Sequence, residues 1–171
     1  MRSAPLLPLL LLVCCKPLHR PTGGVTEAVG DARIAVDQVL DGFHQAAARA
    51  DGRRYFGFMA KGAVFLGTDA KERWDRTAFQ AYAEPYFSAG HGWSYEPLER
   101  HVFVDGDLAW FDERLWNETY GETRGSGVLL RTGRSWRIVQ YNLAFPVPNE
   151  VAPEVVRLIR ERPAAPGSEG G

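Results

Sequence analysis

The hydrophobic pattern of the first half of the chain predicts two helices followed by a strand. From Ile34, apolar side chains recur at helical spacing and form one stripe on a helix that ends near Ala50; they are Val36, Val39, Leu40, Phe43 and Ala47. Asp51 stands where it can cap a second, short helix, which carries Tyr55, Phe58 and Met59. The apolar run at residues 63–66 is typical of a strand.

An aromatic stripe predicts a third helix. Thr77 and Gln80 have the spacing of a capping box, and the stripe that accompanies them runs to Gly90; it comprises Phe79, Tyr82, Ala83, Tyr86 and Phe87. Pro85 lies inside this stripe and removes one backbone hydrogen bond, so we expect it to bend or shorten the helix.

The second half of the chain changes to a period of two, which predicts strands. Four strands are expected, at residues 91–104, 108–117, 124–132 and 135–145, and short glycine-containing turns join them into an antiparallel meander. Helices first and a sheet afterwards predict an α+β fold, with N-terminal helices covering one face of a curved antiparallel sheet. A domain of residues 33–150 is expected, and residues 151–171 are expected to form a short helix and a disordered tail.

The first fifteen residues, MRSAPLLPLLLLVCC, predict export. One basic residue, an apolar run too short to span a bilayer and the two cysteines of the chain are typical of a signal peptide. The position of Cys15 resembles the lipobox of bacterial lipoproteins, which implies a lipid anchor on that cysteine and a place in a bacterial envelope. An ordinary cleaved signal peptide is the alternative. Residues 16–32, rich in proline and glycine, are predicted to be a flexible tether.

Composition limits the classes of partner and cofactor. The 171 residues include 20 basic and 21 acidic side chains, a formal net charge of -1, which provides no broad field for a nucleic acid. No two of the four histidines have metal-ligand spacing, so neither a metal nor another cofactor is predicted. His44, on the flank of the first helix, is expected to be solvated.

Several polar residues occur where neighbouring residues are apolar, and these are the candidates for chemistry. Glu113 alternates with Ala109, Phe111 and Leu115, so an inward carboxylate there would have a raised pKa and could be a general acid or base. Asp69 is a second candidate base, or a simple turn residue. Gln140 and Asn142 share a parity with Trp136 and Ile138 and are expected at the end of an inward apolar row.

The order of these elements resembles the SnoaL-like branch of the nuclear transport factor two-like superfamily. Four stretches carry the resemblance over about residues 34–150: GTDAKERW, LAWFDERLW, RGSGVLLRTGRSWRIVQYNL and PVPNE. The resemblance implies a cone-shaped, cystatin-like α+β barrel with a pocket between sheet and helices, and often a homodimer through the outer surface of the sheet. Polyketide cyclases, ketosteroid isomerases and dehydratases belong to this superfamily, together with proteins of no known reaction.

Three functions are compatible with this pattern. The leading hypothesis is an exported, lipid-anchored domain that binds a small, mostly apolar ligand; the residues expected to contact it are Glu72, Trp74, Tyr82, Phe111, Gln140, Tyr141 and Asn142. The second is an isomerase, cyclase or dehydratase in which Glu113 or Asp69 is the general base and one of Gln140, Tyr141 and Asn142 donates to an oxyanion. The third is a structural dimerisation module without an open pocket.

Overall fold

The structure, a computed structural model, describes the backbone of residues 23–162 and the side chains of residues 30–162. Along the chain the elements are α1 (Gly23–Ala48), α2 (Gly52–Gly57), β1 (Met59–Leu66), β2 (Arg73–Asp75), α3 (Arg76–Ser88), β3 (Glu96–Asp105), β4 (Leu108–Asn117), β5 (Gly121–Thr132), β6 (Ser135–Ala144) and α4 (Ala152–Glu161). The predicted signal peptide, Cys15 and the C-terminal tail lie outside the described residues.

The strands form one curved, open sheet in the order β2-β1-β6-β5-β4-β3, with the N-terminal helices packed against it. This confirms the predicted α+β fold. One neighbour relation differs from the antiparallel prediction, because β1 runs parallel to β6. Strands β3, β4 and β5 separate β1 from β6 in the sequence, so no local hairpin could reveal that pairing.

The apolar stripe of α1 covers the concave side of the sheet. Val36, Leu40, Phe43 and Ala47 are all at most 3% exposed, as the spacing predicted. The helix begins at Gly23, however, so the predicted tether is wrong over residues 23–32, which are helical. None of the helices of the described residues is long and apolar enough to cross a membrane.

Helix α3 is capped two residues earlier than the capping-box prediction. The Asp75 side chain accepts a hydrogen bond from the amide of Ala78 at 2.8 Å, so Thr77 lies inside the first turn. Pro85 is accommodated within the helix, which continues to Ser88. The helix buries Phe79, Ala83 and Phe87 and leaves its other face, with Tyr82 and Tyr86, open.

Strand β4 has the predicted alternation. Ala109, Phe111, Glu113 and Leu115 are buried on the concave face, whereas Trp110 and Trp116 are exposed on the outer face. The α4 helix was expected at 153–162 and is found one residue earlier; none of its residues is buried.

Candidate functional site

The stretch FLGTDAKERW forms the tight connection between β1 and β2. The Gly67 amide donates to the Glu72 carbonyl at 2.8 Å, and the Asp69 carboxylate accepts from the Lys71 amide at 2.9 Å. Asp69 is exposed and does not line the cleft described below. The structure therefore contradicts its expected role as a pocket base: Asp69 is the turn residue that was the alternative.

An aromatic cleft opens beside this turn, with a volume of about 370 Å³. Its walls come from the β1–β2 connection, the open face of α3, the segment that enters β3, the β4–β5 turn and the end of β6. The lining residues are Phe65, Gly67, Thr68, Glu72, Trp74, Phe79, Tyr82, Tyr86, Trp93, Tyr95, Tyr120, Leu143 and Phe145. Glu72, Trp74 and Tyr82, three of the predicted ligand contacts, lie on this wall.

A continuous aromatic stack leads from the mouth of the cleft into the core. Trp74 stacks on Tyr82 at a centroid distance of 4.9 Å and lies nearly parallel to Phe79 at 5.6 Å. Phe79 in turn stacks on Phe65 at 3.9 Å, and Phe65 on Tyr141 at 5.6 Å with an interplanar angle of 6°. These rings hold each other in fixed orientations, so the inner wall of the cleft is preorganised.

Trp93 reaches the cleft because the chain passes very close to the end of α1. A Cβ atom on Gly92 would lie 2.2 Å from the carbonyl oxygen of Ala47, which only glycine avoids. The Trp93 amide donates to that same oxygen at 3.2 Å, and its ring packs on Phe87 at 4.5 Å. Gly92 thus allows the contact that fixes Trp93.

A small inner cavity of about 20 Å³ adjoins the cleft and is large enough for about one water molecule. Phe65, Trp93, Tyr95 and Leu143 line both spaces. The remaining lining residues of the inner cavity are Phe43, His44, Ala47, Tyr55 and Tyr141. Two of these, His44 and Tyr141, contact the buried carboxylate of Glu113.

Glu113 is fully buried and is held by three donors from three different elements. Its Oε1 accepts from Nε2 of His44 at 2.8 Å and from the hydroxyl of Tyr141 at 2.9 Å, and its Oε2 accepts from Nε of Arg100 at 2.8 Å. Arg100 continues outward, where its Nη1 donates to the Asp41 carboxylate at 2.8 Å. The Glu113 carboxylate is therefore buried, but its negative charge is paired with the positive charge of Arg100.

The expected raised pKa of Glu113 is wrong. Burial alone favours the neutral acid, but hydrogen bonds from His44 and Arg100 and electrostatic attraction to both groups outweigh it, so the pKa of Glu113 is lowered. Burial and the neighbouring Glu113 carboxylate raise the pKa of Tyr141 well above its ordinary value, which keeps its phenol a donor. A carboxylate that has a lowered pKa and accepts hydrogen bonds on both oxygens is a weak base. It is ionised near neutrality and so has no proton to donate.

Two glycines of the RGSGV stretch stand where a side chain has no room, and one of them lies against this cluster. A Cβ atom on Gly125 would lie 2.4 Å from the Tyr141 hydroxyl and 2.8 Å from Oε1 of Glu113. On Gly127 it would lie 2.2 Å from the Gln140 carbonyl oxygen and 3.0 Å from the ring of Phe111. Gly125 therefore makes room for the buried carboxylate, and Gly127 allows close packing against β6 and Phe111.

A β-bulge in β6 reverses the expected orientation of the residues that follow it. Leu129 pairs with Ile138 but Val128 pairs with Gln140, so Val139 is the extra residue. Beyond the bulge, Tyr141 and Leu143 become the buried residues. Gln140 and Asn142 consequently leave the concave face, contrary to the expectation that they contact a ligand there.

The other two predicted contacts lie deeper than expected. Phe111 is 3% exposed, packs near Tyr141 at a centroid distance of 5.8 Å and lines neither the cleft nor the inner cavity. Tyr141 does line the inner cavity, but its hydroxyl is already used by Glu113. Its expected role as an oxyanion donor is therefore not supported by this geometry.

Sequence reasoning missed His44 and Arg100. His44 was expected in solvent but is 7% exposed; it stands four residues after Leu40, in line with the buried stripe, which was the available signal. Arg100 could have been found from the Asp105–Leu108 hairpin, whose register places Arg100 directly opposite Glu113. No group of His, Cys, Asp and Glu within residues 30–162 is arranged to hold a metal ion.

Comparison with known proteins identifies the domain. Residues 36–148 match the family described as SnoaL-like domain. No curated protein matches the chain.

Solved structures share the fold. An NTF2-like protein of unknown function from Pseudomonas putida KT2440 is 18% identical and has a TM-score of 0.61, with coverage of 71% of this chain and 92% of that chain. An NTF2-like protein with a cystatin-like fold from Novosphingobium aromaticivorans is 14% identical, with a TM-score of 0.59 and coverage of 77% and 93%. A candidate scytalone dehydratase from the same organism is 9% identical, with a TM-score of 0.60 and coverage of 71% and 89%. At these identities the likeness shows the fold alone.

Proposed function

This chain belongs to the SnoaL-like domain family, and we propose that it is a binding domain that holds a small, mostly apolar molecule in its aromatic cleft. The observation that carries the proposal is the lining of the cleft. Nine of its residues are aromatic, and the cleft volume of about 370 Å³ lies in the range of small-molecule sites. Flat apolar walls with a few polar groups suit a ligand of the same character.

The state of Glu113 supports binding over proton transfer by that residue. It is fully buried, lines neither the cleft nor the inner cavity, and has both carboxylate oxygens occupied by protein donors. A general base must reach the proton that it removes, with a lone pair free to accept it. Glu113 is better described as the anchor that fixes His44, Arg100 and Tyr141.

Binding can be tested with N-phenyl-1-naphthylamine, a neutral apolar dye that becomes fluorescent in apolar sites. We expect the purified domain to bind it, and Trp74→Ala to weaken that binding at least about tenfold, because Trp74 is the ring on which Tyr82 stacks at the wall. The matched control is Trp110→Ala on the outer face of the sheet, which should bind like the wild type. Equal losses in the two variants, or no dye binding by the wild type, would contradict the proposal.

A second candidate function is conversion of a small molecule with His44 as the base. His44 lines the inner cavity, and the Glu113 carboxylate holds its imidazole at 2.8 Å. A carboxylate in that position orients the ring and stabilises the imidazolium that forms when it accepts a proton. The fold is shared with the candidate scytalone dehydratase, which is consistent with such chemistry without assigning it.

Deuterium exchange separates the two candidates. If His44 is a base, the domain should catalyse exchange of the protons beside the carbonyl in apolar ketones that enter the cleft, as followed by nuclear magnetic resonance (NMR). His44→Gln should abolish the exchange, whereas His101→Gln, which changes an exposed histidine, should not. Ketones that bind without exchange above the background rate would remove the catalytic candidate and leave the binding function.

The proposal also includes export and a lipid anchor on Cys15. It is supported by the apolar N-terminal run followed by the only two cysteines of the chain. Mass spectrometry of the chain purified from a bacterial envelope should show a mature N-terminus at an acylated Cys15. An unmodified chain that begins elsewhere contradicts the anchor, and binding in the cleft is unaffected by that outcome.

A further inference from the structure

We infer that the aromatic cleft selects an organic cation, an apolar or aromatic molecule that carries a quaternary ammonium or a similarly dispersed positive charge. The inference rests on the proposed binding function and names the chemical class of its ligand. It is carried by the charge of the cleft wall and by the arrangement of its rings.

The wall carries negative charge and no positive charge. Among the thirteen described residues that line the cleft, Glu72 is the one charged side chain, and none is lysine, arginine or histidine. The neighbours Lys71 and Arg73 are exposed and lie outside the lining. A neutral ligand needs no such carboxylate and an anion is repelled by it, whereas a cation gains from it.

The Glu72 carboxylate is held against the wall with acceptor capacity left. Its Oε2 accepts from the Asp69 amide at 3.1 Å, while Oε1 has no hydrogen-bond partner and the carboxylate no ion-pair partner among the described residues. Gly67 allows this position, since a Cβ atom there would lie 2.2 Å from that Oε2. The turn therefore fixes a partly buried carboxylate that nothing in the described chain neutralises.

Electron-rich tryptophan and tyrosine rings line the cleft together with Glu72. Trp74 and Tyr82 stack at 4.9 Å, and Tyr82 lies 5.6 Å from Tyr86, with their planes inclined by 46°. Several non-coplanar tryptophan and tyrosine rings around one space are the arrangement by which proteins hold quaternary ammonium groups through cation–π attraction. Such a group has no N–H to donate, so rings and one carboxylate are sufficient partners.

Two tyrosines of the wall, Tyr82 and Tyr95, have a pKa raised above the ordinary value, chiefly by burial. Burial is the main reason that the pKa of Tyr82 is raised, and the neighbouring Tyr86 and the Glu72 carboxylate raise it further. Glu72 is the one carboxylate among the described residues that line the cleft. This makes the charge preference attributable to one residue.

Three probes of nearly equal shape test the inference on the unaltered domain. They are benzyltrimethylammonium, its neutral carbon analogue neopentylbenzene, and the anion phenylmethanesulfonate, each measured by displacement of N-phenyl-1-naphthylamine and by ligand-observed NMR. We expect the cation to bind at least about tenfold more tightly than the anion and more tightly than the neutral analogue. Its affinity should also fall as salt is added.

Glu72→Gln supplies the residue-level test, because the glutamine amide oxygen can still accept from Asp69. We expect it to weaken binding of the cation roughly tenfold and to leave the neutral analogue unchanged. The matched control is Glu84→Gln on α3, which removes an equal charge outside the aromatic cleft and keeps an acceptor for Ser88.

The outcomes distinguish this inference from the function on which it rests. A neutral analogue or anion that binds as tightly as the cation overturns the cation preference, while dye binding keeps the cleft function. Unchanged cation affinity in Glu72→Gln overturns the role given to that carboxylate. If neither the dye nor any probe binds, the proposed function fails together with the inference.

Discussion

Nε2 of His44 lies 2.8 Å from Oε1 of Glu113, and this contact joins the first helix to strand β4 of the sheet. The two residues are 69 positions apart in sequence. Because the carboxylate accepts, Nε2 carries the proton and the orientation of the imidazole is set. With Arg100 and Tyr141 on the same carboxylate, one buried charge ties α1, β3, β4 and β6 together.

Replacing Glu113 by glutamine should strongly destabilise the domain. The amide carries no charge to match Arg100 and cannot accept all three hydrogen bonds, so Arg100 loses its one buried acidic partner and keeps only the half-exposed Asp37 and Asp41. We expect the free energy of unfolding in urea to fall by about 3–5 kcal/mol. Glu122→Gln, which breaks an exposed pair with Arg114, should change it too little to measure. Similar stability of the two variants would show that the buried cluster is not a structural anchor.

The same carboxylate should make stability depend on acid pH. The pKa of Glu113 is lowered in the folded protein from an ordinary value of about 4.5, so below that pH the unfolded chain binds the proton more readily than the folded one. Its contribution is therefore fully present above about pH 4.5 and is lost as the pH falls towards the lowered pKa. Urea unfolding at a series of pH values should show that the difference in free energy of unfolding between the wild type and Glu113→Gln becomes smaller below pH 4.5. A gap that widens there would contradict this sign.

Gly125→Ala should disturb the cluster without changing any of its members. The added methyl group would overlap the Tyr141 hydroxyl and Oε1 of Glu113, so one of them must move. We expect a loss of about 1–3 kcal/mol in the free energy of unfolding. Gly62→Ala, in a strand position with nothing within 4 Å, is the control and should be tolerated. Full stability of Gly125→Ala would mean that the hydrogen bond between Tyr141 and Glu113 can rearrange freely.

The outer face of the sheet should mediate a homodimer. Phe103 and Trp110 stack there at 5.5 Å and are 47% and 43% exposed, beside the exposed cross-strand pair of Leu108 and Leu130. Analytical ultracentrifugation should find a dimer that Phe103→Glu converts into a monomer, because it places a charge in an apolar interface. Ile34→Glu, at an exposed position of α1, should remain dimeric. A monomeric wild type at micromolar concentration would remove the proposal.

Local patterns were sufficient for most of the fold. The stripe of α1, the Asp51 cap of α2 and the alternation of β4 each follow from the periodicity of a single element, and all three are present. The hairpin at Gly106 also sets Arg100 opposite Glu113, a local signal that the sequence analysis did not use. Trp74 and Tyr82 were predicted on the wall of a pocket, and the cleft is found beside them, although binding there stays a prediction.

Non-local geometry accounts for what the sequence did not reveal. The bulge at Val139 moved Gln140 and Asn142 off the concave face, because one extra residue reverses every later side chain in a strand whose period is two. The pKa of Glu113 depended on Arg100 and on a histidine from a distant helix, whose combined effect outweighs burial.

The sequence by itself determined the family, the order of helices and strands, and which face of each element is apolar, since those properties depend on residues close together in the chain. Only the tertiary structure decided that Glu113 is a neutralised anchor, that β1 runs parallel to β6, and that the aromatic rings converge on a cleft with a single carboxylate. Those features arise from contacts between elements far apart in sequence, and neither periodicity nor composition specifies such contacts.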